Sequence, residues 1–180
     1  MILKIIAALA VIVIGFFIVA AFQPPEYRVE RHTVVTAPLE VVFDQVNDLH
    51  RWQQISPYAK LDPTAQTTFE GPAAGTGASM TWSGNSKIGE GRLTIVESRP
   101  NELVRMKLDF VRPFKGTSTV EFTFRQNGNQ VAVSWLTFGE KNLVTKAMGL
   151  VISMDKMIGA EFEEGLATLK TLVEAAAAKH

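Results

Sequence analysis

Three polar residues of this 180-residue sequence are candidates for catalysis: Glu70, Glu90 and Arg92. A carboxylate held in an apolar pocket has a raised pKa and can transfer protons, as a cyclisation reaction would require. Structural charge pairs are common, however, and catalytically perturbed groups are rare. A surface ion pair is therefore the default interpretation of these residues.

Metal and nucleophile chemistry lack the necessary residues. The three histidines, His32, His50 and His180, are not spaced as H-x-x-x-H, and no G-x-S-x-G motif presents a serine. The absence of cysteine excludes disulfides, thiolate metal sites and a cysteine nucleophile. We therefore expect neither a metal site nor a cofactor.

The segment from Ile5 to Phe22 contains no charged or strongly polar side chain. As a helix it would be roughly 27 Å long, close to the ~30 Å hydrocarbon core of a bilayer. The run exceeds the roughly 7 to 15 apolar residues of a cleaved secretory signal. We interpret residues 1–22 as a single-pass transmembrane anchor or uncleaved signal, and a cleaved signal is the alternative.

Residues 23–26 form a short linker with two prolines, which holds the following domain, residues 27–175, close to the membrane; residues 176–180 form a tail. The chain has 18 basic and 18 acidic residues, and Lys4 belongs to the anchor, so the domain carries about one net negative charge. This balance argues against nucleic acid as a partner, because such proteins need a basic surface patch. The oligomeric state is not predicted.

The first part of the domain predicts one strand and two short helices. Alternating β-branched and aromatic residues predict a strand from Tyr27 to Thr36. Pro38 suits the first turn of a helix that continues to Asn47. A second helical piece covers residues 49–54, and Pro57 is expected to end it.

From Thr67 to Phe138 short apolar runs separated by Gly, Pro and Asn predict only β-strands. A two-residue turn at Asn127 and Gly128 would pair Phe124 with Val131. The same register pairs two further couples on the same apolar face, Phe122 with Val133 and Val120 with Trp135. An earlier hairpin, with a loop of two or four residues around 98–101, places Leu93 and Ile95 opposite Val104, Met106 and Leu108. These pairings predict an antiparallel sheet with one apolar face.

The last segment supplies a cover for that face. From Leu143 onward apolar residues recur every three or four positions, as in one amphipathic helix of about 45 Å. They are Ala147, Leu150, Val151, Met154, Ile158, Phe162, Leu166, Leu169 and Val173. The order of elements predicts an α+β domain in which a curved antiparallel sheet wraps around a long C-terminal helix, preceded by one transmembrane helix.

Several short motifs accompany this order of elements. They are Ala37-Pro38 with residues 40–43, Asn47-Asp48 with Trp52 and Ser56-Pro57, residues 69–72, residues 89–92 with Pro100, and Met154–Met157 with Glu163, Gly165, Leu166 and Leu169. Together they resemble the START-like, Bet v 1-like superfamily with the helix-grip fold, in particular the bacterial SRPBCC or polyketide cyclase/dehydrase-like proteins. Ile55 departs from the pattern, because many relatives have a second tryptophan there.

The resemblance implies a cavity for an apolar molecule between sheet and helix. Its expected wall comprises Met106, Leu108, Phe110, Val120, Phe122 and Trp135 from the sheet and Met154, Ile158 and Phe162 from the helix, with Trp52 and Trp82 at the mouth. The alternative is a densely packed interior without a void. Adaptable methionines (148, 154, 157) and helix-weakening glycines (149, 159, 165) favour the cavity.

The sequence therefore predicts a membrane-anchored domain that binds, transports or senses a hydrophobic small molecule or lipid. An anchor with so short a leading segment normally translocates the domain after it, so we expect this domain on the outer, periplasmic side of a bacterial inner membrane. One alternative is a cyclase or dehydratase that uses Glu90 or Glu70 as its acid or base. Another is an interaction module without a ligand.

Overall fold

The computed structural model describes residues 1–151 and 153–178, so His180 and the last part of the predicted tail lie outside the described residues. The first helix, α1, spans Ile2–Ala21 and includes most of the predicted apolar segment. Its length and apolar composition suit a membrane span, and they would equally suit a signal sequence. Ala20, in the last turn, is buried.

A seven-stranded antiparallel sheet forms the framework of the domain. Its strands are β1 (Glu26–Val35), β2 (Gln66–Glu70), β3 (Ser79–Ser83), β4 (Glu90–Arg99), β5 (Leu103–Arg112), β6 (Gly116–Asn127) and β7 (Gln130–Glu140). The strands lie in the order β1-β7-β6-β5-β4-β3-β2. Because chain neighbours pair from β2 to β7 and β1 closes onto β7, this is the predicted curved sheet of an α+β helix-grip fold.

Three short helices connect β1 and β2, where two were predicted. They are α2 (Leu39–Asn47), α3 (Leu49–Ile55) and α4 (Pro57–Leu61). The Asp48 side chain caps α3 by accepting from the N–H of His50. As predicted, α3 ends before Pro57, with Ser56 in an extended conformation. Pro57 also begins α4, which was not predicted, because a proline fits the first turn, where its missing N–H is not needed.

The β6–β7 hairpin differs from the predicted register by two residues. Phe124 pairs with Val133 and Phe122 with Trp135, so the turn residues are Gly128 and Asn129. Gly128 has a φ of 62°, which glycine adopts readily and which suits the first central position of a type II′ turn. A shift of two preserves side-chain direction, so the predicted apolar face is kept.

The β4–β5 hairpin pairs Leu93 with Leu108 and Ile95 with Met106, which places these residues on one face as predicted. Its loop has three residues rather than two or four, since Arg99 pairs with Leu103. A β-bulge between Ile95 and Glu97 accommodates one extra residue in β4. The apolar side chains of both strands therefore stay on one face.

The predicted single C-terminal helix is two helices, α5 (Leu143–Val151) and α6 (Met154–Ala177). The Ser153 side chain accepts from the N–H of Lys156 and caps α6, so a new helix starts where the apolar periodicity predicts continuity. Of these two helices, α6 packs along the sheet. Its buried residues Phe162, Leu166, Leu169 and Val173 belong to the core.

Charged contacts hold α6 alongside β1. The Arg31 guanidinium donates to Asp155 at 3.0 Å and to Glu163 at 2.7 Å. Further along, Lys170 Nζ donates to the carbonyl of Val34 at 2.8 Å. These contacts join α6 to the first strand along its length.

Candidate functional site

A cavity of roughly 480 Å³ lies between the sheet, the short helices α3 and α4, and α6. Binding pockets for drug-sized molecules have volumes of about 300–1,000 Å³. The interior is therefore not the void-free core that was the alternative expectation.

Nine of the eleven predicted wall and mouth residues line this cavity. They are Trp52, Trp82, Leu108, Phe110, Val120, Trp135, Met154, Ile158 and Phe162. Met106 and Phe122 do not line it; both are fully buried in the packed core. Met106 pairs with Ile95 of the neighbouring strand, and Phe122 packs edge-on against Trp52. A role in ligand binding remains a prediction for the nine residues that reach the wall.

Trp135 is the centre of the aromatic part of the wall. Its ring stacks on Phe162 with centroids 4.1 Å apart and meets Trp52 edge-on at 5.0 Å. Gly165 lies against the same ring, which explains one of the helix glycines by close packing rather than by ligand space. The buried Nε1 of Trp135 has no hydrogen-bond partner among the described residues. Such a donor is costly to bury unpaired.

Gly159 also serves close packing. A side chain at this position would collide with the guanidinium of Arg31, which lies over the helix backbone there. The third helix glycine, Gly149, has open space around it. The helix glycines therefore give no support to the cavity prediction, although the cavity is present.

Trp82 is held at the wall by its own hydrogen bond. Its Nε1 donates to the carbonyl of Ile88 at 3.0 Å, and its ring meets Phe110 edge-on at 5.8 Å. Gly91, on the adjacent strand, leaves room for the ring, because a Cβ there would approach Cη2 of Trp82 to 2.5 Å.

A band of polar groups interrupts the apolar wall. The hydroxyls of Tyr27 and Ser118 lie 2.6 Å apart, and the Thr137 hydroxyl donates to the carbonyl of Thr119 at 3.1 Å. Tyr27, Ser118 and Thr137 all line the cavity, and none was a predicted site residue. Period-two alternation could have found two of them, since Ser118 and Thr137 continue the inward-facing series of Val120 and Trp135.

Asp62 is a buried carboxylate at the cavity wall, also missed from the sequence. It accepts hydrogen bonds from the Thr64 hydroxyl at 2.7 Å, the Asn85 N–H at 2.7 Å and the Thr64 N–H at 3.1 Å. The Thr64 hydroxyl and the Asn85 N–H lower the pKa of Asp62 by stabilising the ionised form. At neutral pH this carboxylate is a charged structural acceptor and not a proton donor.

Tyr58 places a second phenol at the cavity. Although 39% of the Tyr58 surface is exposed, partial loss of hydration, with smaller effects of Glu161 and Tyr27, raises the pKa of Tyr58. The phenol therefore remains protonated at neutral pH and is available as a hydrogen-bond donor.

Glu70, Glu90 and Arg92 do not line the cavity. Arg92 pairs with Glu70 at 2.9 Å, and Glu90 pairs with Arg112 at 2.6 Å. These are the surface ion pairs of the default interpretation.

Glu70 also borders a smaller hollow of roughly 240 Å³ beside His50 and Phe69, whose rings stack 3.8 Å apart. Across residues 1–151 and 153–178, no three His, Cys, Asp or Glu side chains are grouped to hold a metal ion.

The chain matches one family model over nearly the whole domain. The model is described as polyketide cyclase / dehydrase and lipid transport, and it matches residues 26–174. No curated protein matches the sequence.

Solved structures show the same fold at low identity. A protein from Chromobacterium violaceum is 17% identical with a TM-score of 0.59, and the match covers 82% of this chain and 96% of that chain. Ara h 8.0201 is 9% identical with a TM-score of 0.55, covering 86% and 99%. The di-domain ARO/CYC StfQ from the steffimycin biosynthetic pathway is 10% identical with a TM-score of 0.61, covering 86% of this chain and 52% of that chain. At such identities the likeness shows the helix-grip fold alone.

Proposed function

This chain belongs to the polyketide cyclase / dehydrase and lipid transport family, and from that premise we propose that it binds a hydrophobic small molecule or lipid in the cavity beneath α6. The observation that carries the proposal is the cavity itself, roughly 480 Å³ in volume and walled by aromatic and aliphatic side chains. Apolar surface that leaves water on binding contributes about 25 cal/mol per Å². A cavity of this size and chemistry favours an apolar ligand over a polar one.

The polar band supports a ligand with one polar end. Tyr27, Ser118 and Thr137 line the cavity and lie together on neighbouring strands β1, β6 and β7. A few polar groups in an apolar pocket fix the orientation of a bound molecule. We expect the apolar body of the ligand against Leu108 and Ile158 and its polar atoms at this band.

The contacts of α1 support an uncleaved anchor. Ala20 is fully buried, and Lys146 of α5 donates to the carbonyl of Ala21 at 3.3 Å. A helix that is removed after export would have no need to pack on the mature domain. We propose that α1 remains attached and that the domain lies on the outer face of the membrane.

The enzyme alternative rests on the family description only. Glu70 and Glu90 pair with arginines outside the cavity, and Asp62 is held ionised. Glu70 and Glu90 are not placed to transfer a proton to a molecule in the cavity. Ionised Asp62 cannot act as an acid, and its oxygens already accept three hydrogen bonds from Thr64 and Asn85, so ligand binding is the function that we propose.

Native mass spectrometry of the full-length chain, extracted in detergent, tests the proposal. We expect an additional mass from a bound lipid. Leu108→Trp should abolish it, because the larger side chain extends into the cavity from β5. Lys107→Trp is the matched control, since Lys107 is exposed on the same strand and alternates to the opposite face. Bare polypeptide mass for the wild type in repeated extractions, with both variants folded, would overturn the proposal.

A further inference from the structure

One end of the sheet lies next to the C-terminal end of α1. Glu26 of β1 pairs with Glu140 of β7, and Gly139 pairs with Ser118 of β6. The linker is tied to the same place, because the carbonyl of Pro25 accepts from the N–H of Lys141 at 2.6 Å. We call this the anchor-proximal end.

Exposed apolar side chains concentrate at the anchor-proximal end. Twelve large apolar residues are exposed within residues 23–151 and 153–178, and seven of them lie on the β5–β6 hairpin or on α5. These seven form the apolar rim: Phe110, Val111, Phe114, Leu143, Val144, Met148 and Val151. Half of the Phe114 surface and 76% of the Val151 surface are exposed. Such a concentration marks an interaction surface, because soluble proteins rarely expose contiguous apolar patches of this kind.

The cavity opens at the same end. Its wall includes residues from the four loops that the strand register brings there: 62–65, 84–89, 111–116 and 140–142. Phe110 and Phe114 belong both to the cavity wall and to the apolar rim. A molecule entering the cavity would therefore pass the rim.

Continuity with the anchor identifies the occupant of the rim. The rim adjoins α1, since α5 packs on that helix and Lys146 of α5 donates to the carbonyl of Ala21. If α1 lies in a membrane, the adjoining rim is at the surface of the same bilayer. The rim segments 110–116 and 140–151 contain Arg112, Lys115, Lys141 and Lys146. Arg112 is paired with Glu90, and Glu26 and Glu140 lie at the same end, so the lysines rather than a net positive charge are available to lipid phosphates.

We infer that the apolar rim rests in the bilayer interface beside α1, so that the cavity mouth opens onto the lipid and the ligand exchanges with the membrane without crossing water. This inference deepens the proposed function and depends on it for the identity of the exchanged molecule. The docking itself requires only that α1 remains in the membrane.

Site-specific labelling of the full-length chain tests the docking. Because the native chain has no cysteine, single cysteines at Phe114→Cys and Val151→Cys can carry an environment-sensitive fluorophore. Val96→Cys is the matched control, since Val96 is 45% exposed and lies outside the rim. The labelled proteins are reconstituted into phosphatidylcholine–phosphatidylglycerol vesicles that contain spin-labelled acyl chains.

We expect lipid quenching several-fold stronger at positions 114 and 151 than at position 96. Equal, weak quenching at all three positions with full access to aqueous iodide would overturn the inference. Shielding from iodide without lipid quenching would also overturn it, because a second protein copy would then cover the rim. Val151 does not line the cavity, so quenching at position 151 does not depend on a bound ligand, and it distinguishes failure of the docking from failure of the proposed function.

Discussion

Gly165 of α6 lies directly against the indole of Trp135 in β7: a Cβ on Gly165 would approach Cζ3 of Trp135 to 2.5 Å. The carbonyl of Ile55 would lie 3.1 Å from the same position, so the site is closed from two sides. The ring is held by Trp52 and Phe162 and forms part of the cavity wall. This single contact therefore couples the spacing of helix and sheet to the shape of the cavity.

Gly165→Ala should destabilise the domain because the stacked ring has little room to move. Overpacking typically costs about 1–3 kcal/mol, while alanine gains up to about 1 kcal/mol of helix propensity. Gly149→Ala is the control, since it has the same propensity gain with open space around it. Urea unfolding in detergent, followed by circular dichroism, should place Gly165→Ala below Gly149→Ala by roughly 1–3 kcal/mol. Equal stability of the two variants would show that Trp135 can shift freely.

A bound ligand should change the environment of the Trp135 indole. Its N–H has no acceptor among the described residues, whereas the Trp82 N–H already donates to Ile88. We expect the indole ¹H–¹⁵N resonance of Trp135, assigned by its loss in Trp135→Phe, to shift when delipidated protein is loaded with total lipid extract, because its ring forms part of the cavity wall. The Trp82 resonance is the comparison, since its N–H is already hydrogen-bonded. An unchanged Trp135 resonance with confirmed loading would show that the ligand does not reach this ring.

Protonation of Asp62 should weaken the domain at acid pH. Its pKa is lowered in the folded state by the Thr64 hydroxyl and the Asn85 N–H, so the unfolded chain binds the proton more tightly. The stabilisation is fully present above the unfolded pKa of about 3.9 and is lost as pH falls through the folded pKa. The wild type should have a higher Tm than Asp62→Asn at pH 6, and the difference should shrink below about pH 4. A Tm difference that does not vary between pH 6 and pH 3 contradicts this prediction.

Replacement of the turn glycine should destabilise the β6–β7 hairpin. Gly128 has a φ of 62°, which costs a residue with a Cβ about 1–2 kcal/mol. We expect Gly128→Ala to lower the free energy of unfolding by about that amount. Gly116→Ala, at a glycine with open space and no positive φ, should be close to neutral. Equal stabilities in urea would indicate that the turn can rearrange without cost.

The sequence predicted the faces of the strands better than their registers. Alternation at Leu93 and Ile95 determines which side of β4 is apolar, and the same alternation turns Arg92 outward. The outward direction of Glu90 and Arg92 is therefore predictable from alternation alone. A register shift of two residues leaves every side chain on its face, so the apolar pattern could not detect it at Phe124. The turn itself distinguishes the two registers, because Asn127 pairs with Gln130 and does not have the positive φ that a type I′ turn at Asn127-Gly128 would require.

The helix break at Ser153 shows a second limit of prediction from sequence. Apolar spacing continues from Ala147 through Met154 to Ile158, and it alone predicts one helix. A local hydrogen bond from the N–H of Lys156 to the Ser153 side chain starts a new helix there. Serine also occurs within helices, so the sequence alone does not show that Ser153 is an N-cap. The extended backbone at Ser153 shows it.

By itself the sequence determined the apolar N-terminal segment, the α+β order of elements and the residues that face inward, because each depends on local composition or short-range periodicity. The tertiary structure decided whether those inward side chains meet or leave a space. A cavity remains where α6 lies slightly farther from the sheet than the side chains between them can fill. That separation is set by contacts distant in sequence, such as Arg31 with Glu163 and Gly165 with Trp135, which no local pattern records.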